Sequence, residues 1–241
     1  MAQKKEITYS DPEGNLLKGY LAYNNNPESP LPVVLVVPEW WGCNAYARRR
    51  ADLLAQLGYF AMAVDIYGEG KTVETPQEAS ELAAPFYKNP EQAKMRMEAA
   101  MKEVNKYPQA DTSRMAAIGY CFGGSMVLNG AKLGLPLKGV VSFHGGLDGV
   151  KALPGILKSR ILVCHGEADP LVSAEEIRSF RQNLDEVNAD YRFIAYPGAT
   201  HAFSNPNATG IGIKYNMPIA YQEEADTKSW EAMKVFLAET L

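Results

Sequence analysis

The sequence predicts an α/β fold, a mostly parallel sheet of about eight strands flanked by helices. Three observations lead there. Short apolar runs rich in β-branched residues alternate with longer stretches of helical periodicity, the pattern that a helix-covered parallel sheet requires. The run Met115-Ala116-Ala117-Ile118 leads directly into Gly119-Tyr120-Cys121-Phe122-Gly123-Gly124, a glycine-bracketed turn between a strand and a helix. A chain of 241 residues with 46% hydrophobic content suits one large core, and no repeat, low-complexity tract or long polar linker divides it, so residues 1–241 read as a single domain.

Taken in order, strands are expected near 4–9 and 16–23. They form an edge hairpin closed by Asp11-Pro12-Glu13-Gly14-Asn15, where proline presets one turn position and glycine and asparagine relax the next. Further strands are expected near 33–37, 60–65, 115–119, 139–143, 160–165 and 191–196. Helices are expected near 44–57, 76–88, 91–106, 122–133, 173–188 and 226–240. Segment 66–90, rich in Gly, Pro and Glu, is the expected lid or pocket wall.

Composition excludes several classes. A formal charge of −4 and interspersed basic residues leave no stripe for nucleic acid. No apolar run approaches membrane-spanning length, and the polar start predicts a cytoplasmic chain with no membrane association. Cys43, Cys121 and Cys164 are odd in number and lack metal-type spacing, so free thiols and no metal are expected.

The glycine-bracketed turn carries the chemistry. Glycines two residues either side of a nucleophile let strand and helix pass closely while the side chain projects alone, which makes Cys121 the expected nucleophile. In an open α/β sheet the groups that complete such a site lie just past the carboxyl ends of strands. Strand 160–165 is followed by Asp169 and strand 191–196 by His201, giving the chain order nucleophile, acid, histidine. His144 and His165 precede the acid and suit packing or loop hydrogen bonds, Asp148 is the competing acid, and Asp190 lies at the wrong end of its strand. Backbone amides of Phe122 and Trp40 are the expected oxyanion donors. Glu39, at the mouth of the same loop, lies within expected reach of the thiol, where it would hold its proton or pass it to His201. Of Trp40 and Trp41, adjacent at a strand end, only one is expected to face the pocket.

These residues resemble the dienelactone hydrolases, the cysteine branch of the α/β-hydrolase fold. The resemblance covers nearly the whole chain and rests on Pro38-Glu39-Trp40-Trp41-Gly42, Asp65-Ile66-Tyr67-Gly68, the Cys121 motif, His165-Gly166 with Asp169, His201-Ala202-Phe203 and Trp230-Glu231-Ala232-Met233. It implies a triad of Cys121, Asp169 and His201, with Glu39 interacting with the resting cysteine. It also implies a small-molecule ester or lactone as substrate. No cofactor is expected, and the assembly expected is a monomer or weak homodimer. Dienelactone-cleaving members grip a substrate carboxylate with one arginine in the lid and another four residues past the histidine. Here 66–90 holds no arginine and Asn205 stands at the second position, so neutral or aromatic esters are expected instead. Trp40, Trp41, Tyr67, Phe86, Tyr87, Phe122 and Phe203 are the candidate substrate contacts. A soft nucleophile in a neutral pocket is also suited to activated esters such as phosphotriesters.

Two rival readings follow from the same residues. The first is a hydrolase-fold binding protein whose Cys121 is inert or redox-sensing. The second is a nucleotide-binding protein, because Gly119 and Gly124 have phosphate-loop separation, although Ser125 occupies the position where that motif requires lysine.

Overall fold

A computed structural model describes residues 2–241. Eight strands form one sheet: β1 (Ala2–Ser10), β2 (Leu16–Asn24), β3 (Leu31–Val37), β4 (Phe60–Ala63), β5 (Ala110–Tyr120), β6 (Gly139–Phe143), β7 (Arg160–Gly166) and β8 (Tyr191–Tyr196). Their spatial order is β1-β2-β4-β3-β5-β6-β7-β8. The β1–β2 hairpin forms one edge, β2 joins β4 antiparallel, and every later pairing is parallel. The carboxyl ends of β3, β5, β6, β7 and β8 therefore share one rim of the sheet, where an α/β fold builds its site.

Seven helices cover the two faces: α1 (Ala45–Gln56), α2 (Pro76–Lys88), α3 (Pro90–Val104), α4 (Phe122–Lys132), α5 (Ala174–Glu186), α6 (Ala208–Tyr215) and α7 (Glu223–Thr240). Local chemistry starts several of them. Asn44 accepts the Tyr46 and Ala47 amides to open α1, Thr75 and Glu78 form a reciprocal capping box on α2 with Pro76 in its first turn, and Ser173 caps α5. One core layer joins Leu35, Met62 and Ala117 to Met97 on α3, Met126 on α4 and Phe180 on α5. The opposite layer joins Val34, Val36, Ile118 and Val141 to Leu54 on α1 and to Met233 and Phe236 on α7. Alternate residues of β3 thus serve both layers, and α4 is buried along its whole length. No helix among the described residues is long and apolar enough to cross a membrane.

Three elements depart from the sequence expectation. β5 begins at Ala110, earlier than its apolar run, because Ala110 and Asp111 pair with Leu31 and Pro32 before a register shift at Pro32/Val33. β4 ends at Ala63 because the chain then turns to let Asp65 accept the amides of Lys18, Gly68 and Gly70. Helix α6 was not foreseen, since Gly210 and Gly212 lower its intrinsic propensity and its eight residues bury only Ala208 and Gly212.

Candidate functional site

Sterics fix the elbow. A Cβ on Gly119 would sit 2.1 Å from Gly123 O, and one on Gly123 would sit 2.2 Å from Val37 O, so the strand, the turn and α4 approach as only glycine permits. Between them Cys121 holds φ 52° and ψ −117°, a conformation that costs a non-glycine residue about 1–3 kcal/mol and is kept only where its surroundings impose it. The side chain is thereby aimed into a cavity of about 410 Å³ that also receives Glu39 and His201.

Cys121 Sγ lies 3.1 Å from His201 Nε2, and His201 Nδ1 lies 2.8 Å from Asp169 Oδ2. The second oxygen of Asp169 accepts the Leu171 amide at 2.9 Å, so both of its oxygens are held. Burial opposes a charge on His201, yet the adjacent Cys121 sulfur and the Asp169 carboxylate outweigh it and push the imidazole up to about 10. A protonated His201 donates through both ring nitrogens, to the sulfur on one side and the carboxylate on the other. Asp148, the competing acid, is exposed, and its amide bonds to Glu176.

Glu39 is brought to the cavity that Cys121 also lines, but no hydrogen bond joins the two. Its Oε2 accepts from Asn205 Nδ2 at 2.7 Å, while the thiol faces His201. Burial raises the carboxyl to about 7, with the Asn205 bond and the His201 charge pulling in the opposite direction. Asn205 is therefore more than a missing arginine. It is the polar partner of a buried acid, a role that sequence comparison at one position does not reveal.

The cavity wall differs from the aromatic set expected. Trp40, Trp41 and Tyr87 line it, but Tyr67, Phe86, Phe122 and Phe203 do not. Tyr67 donates its hydroxyl to Trp40 O at 2.9 Å, and its ring packs 5.7 Å from that of Phe122, with Phe86 beside both. These three rings support the wall from behind. Phe203 is fully buried against His144 and Tyr196. Both tryptophans face the cavity because residues 39–42 form a turn, with Gly42 N bonding Glu39 O, so strand alternation has already ended; their rings meet edge to face at 5.2 Å. The lining that sequence reasoning missed is mostly aliphatic, Ala83 and Ala84 on α2, Leu171 and Val172 after Asp169, and Met217 and Ile219, with Ser80 and Lys88 of α2 as its polar members. Ile219 is brought in by a parallel bridge to His201, a long-range pairing with no local sequence signal. Segment 66–90 supplies a wall as expected, through α2.

Comparison with known proteins agrees with this architecture. Residues 17–241 match the family model described as the dienelactone hydrolase family. The chain belongs to that family. A "Putative carboxymethylenebutenolidase" of Yersinia pestis is 30% identical over 203 residues, covering 80% of this chain and 76% of that protein. A dienelactone hydrolase-like promiscuous phosphotriesterase from metagenomic libraries superposes with a TM-score of 0.91 at 31% identity, covering 99% of this chain and 98% of the other. The m3DLH protein superposes at 0.92 with 33% identity, covering 100% and 99%. The chain is an ester-bond hydrolase of the α/β-hydrolase fold.

Proposed function

We propose that the chain hydrolyses neutral carboxylic esters or lactones, aryl and acyl esters foremost, through a Cys121 thioester. The observation that carries this reading is the unbroken line from Cys121 Sγ through the His201 ring to Asp169. Transfer of the Cys121 proton to His201 Nε2, 3.1 Å away, gives the thiolate and the imidazolium. The thiolate attacks the substrate carbonyl, and the oxyanion that develops is met by the backbone amides of Phe122 and Trp40. Phe122 is the first residue of α4, where helix amides have no intrahelical acceptor. The tetrahedral adduct collapses as His201 Nε2 gives its proton to the departing alkoxide, leaving a thioester and a neutral imidazole. That imidazole then takes a proton from water, the hydroxide attacks the thioester, and expulsion of the thiolate releases the acid and restores the ion pair. Asp169 keeps the ring in the required orientation throughout. Glu39, held by Asn205, biases the site electrostatically, since its ionised form favours the imidazolium.

The largely aliphatic and indole lining supports a neutral substrate, because no arginine lines the cavity to fork onto a carboxylate and its one lysine, Lys88, is an exposed residue at the end of α2. The same thiolate is suited to attack the phosphorus of an activated phosphotriester and expel its aryl oxide, as the promiscuous neighbour's activity suggests. Turnover then requires water to cleave the S–P bond.

An ester panel varied in acyl length, aryl group and charge, run on the wild type beside Cys121→Ser and Cys121→Ala, tests the reading. Cys121→Ala is expected to lose at least about 10⁴-fold in rate, the wild type to show an acyl mass on Cys121 after a p-nitrophenyl ester pulse, and neutral esters to outrun carboxylated lactones. Undiminished turnover by Cys121→Ala rejects the nucleophile, and a carboxylated lactone as best substrate rejects the neutral pocket. With paraoxon, one equivalent of product followed by silence rejects phosphotriester turnover.

A further inference from the structure

A second histidine stands directly behind the reacting pair and takes no part in the steps above. His144 follows β6, is fully buried, and holds φ 42°, a left-handed backbone uncommon outside glycine. Its Nδ1 accepts the Cys121 backbone N–H at 3.1 Å, a donor shared with Phe143 O at 2.9 Å. Its Nε2 lies 2.7 Å from Ser204 Oγ. Because Nδ1 is an acceptor, the ring proton resides on Nε2 and is donated to Ser204. The line continues inward. Ser204 Oγ lies 2.8 Å from Tyr46 Oη, Arg50 donates to that hydroxyl and to Ser204 O at 2.7 Å, and Asp226 on α7 accepts from Arg50 at 2.6 Å. The His144 ring also meets those of His201 and Phe203 edge-on, at 5.6 and 5.1 Å.

We infer that His144 is a positioning residue: it ties the amide of the nucleophile to Ser204, three residues beyond His201, and so sets the separation of the Cys121 sulfur and the His201 imidazole. This rests on the reading of Cys121 and His201 as nucleophile and base. One loop follows β5 and the other follows β8, at opposite ends of a four-strand span of the sheet, and the His144 ring joins them directly. An apolar residue would fill the same space, but it would neither accept the amide nor anchor Ser204. Burial, together with the charges of His201 and Arg50, keeps the ring neutral, which preserves the acceptor that the elbow uses. His144 therefore holds geometry and transfers no proton in the reaction.

The test uses His144→Ala, His144→Asn, Ser204→Ala and a His201→Ala control in the full chain, with kcat and KM on a neutral p-nitrophenyl ester and the pH dependence of Cys121 alkylation by iodoacetamide. Asparagine restores an acceptor at the Nδ1 position without the far donor. The expected result is a fall in kcat of about 100-fold for His144→Ala with little change in KM, as a displacement near 1 Å produces. The alkylation profile should move in the same direction as for His201→Ala, and His144→Asn should recover about tenfold of the lost kcat. A His144→Ala enzyme with wild-type kcat and an unmoved alkylation profile, while His201→Ala moves it, overturns the positioning role alone. A profile that His201→Ala does not move overturns the underlying Cys121–His201 pairing as well. Should His144→Ala fail to fold, Ser204→Ala carries the test: the same profile shift supports the role, and wild-type behaviour overturns it.

Discussion

The elbow and the wall above it share one cavity but are held in different ways. At the elbow, Gly119, Gly123 and Gly124 leave no room for a Cβ, and the ring of Phe122 is fully buried. Across the cavity, Tyr87 is 53% exposed and Leu171 51% exposed although both line the substrate space. One side is fixed by backbone-to-backbone contact, the other by side chains that water still reaches. Chemistry that must be reproduced to within about 0.5 Å belongs on the first, and substrate choice that tolerates repacking belongs on the second.

Adding one methyl group to the elbow is the strongest way to break the comparison. Gly123→Ala places a Cβ against two carbonyl oxygens, Val37 O at 2.2 Å and Pro38 O at 2.5 Å, neither of which belongs to a flexible side chain. A loss of roughly 4 kcal/mol is expected, together with a collapse of ester turnover in whatever protein remains folded, measured by denaturant melts and initial rates. A neutral effect would mean that the elbow is as adaptable as the wall.

Glu39 probes the electrostatic side of the same floor. Its folded-state carboxyl is raised from 4.5 to about 7, so between those values the native chain binds more protons than the unfolded chain and stability falls as pH rises. The sign is that of a buried acid whose ionisation is resisted: stability is greatest below about pH 4.5 and the full penalty is present above about pH 7. Glu39→Gln, which keeps an acceptor for Asn205, should therefore stabilise the protein by about 3 kcal/mol at pH 8. The difference should vanish near pH 4. Melting curves of both proteins across that range decide it, and a gain independent of pH would assign the effect to packing.

The wall should respond by selection rather than by collapse. Ala84→Phe on α2 reduces the cavity beside Trp40 and Tyr87. It is expected to lower kcat/KM for bulky aryl esters by about tenfold, within the range of single-contact pocket discrimination, and to spare acetate esters. Equal losses on both would show that α2 supports the chemistry as well as the substrate.

The contrast also explains what could be read from the chain. Cys121, Asp169 and His201 each follow a strand end within a few residues, and a strand end is a local property of the sequence, so their convergence was legible. The expectation that only one of Trp40 and Trp41 faces the pocket fails because the turn at Gly42 ends strand alternation sooner than the apolar run suggests. Tyr67, Phe86 and Phe203 were drawn toward the cavity by residue type alone, whereas depth of burial, decided by tertiary packing, put them behind it. Asn205 bonding Glu39 over 166 residues and Ile219 pairing with His201 depend on contacts that no short window encodes.

The smallest effect sharpens the comparison most, because α6 contains a glycine of each kind. A Cβ on Gly210 meets nothing within 4 Å, and its backbone is ordinary helix. Alanine there should add about 0.5–1 kcal/mol through helix propensity and a less flexible unfolded chain. A rise of a few degrees in Tm with unchanged ester turnover is expected. Two residues on, a Cβ at Gly212 would lie 2.4 Å from Ile219 O, the carbonyl of the residue that bridges His201. Gly212→Ala should therefore lower Tm and turnover together. If the two alanines behave alike, backbone clearance is not what divides a locked part of this site from a tunable one; if they diverge, one helix beside the site contains both regimes two residues apart.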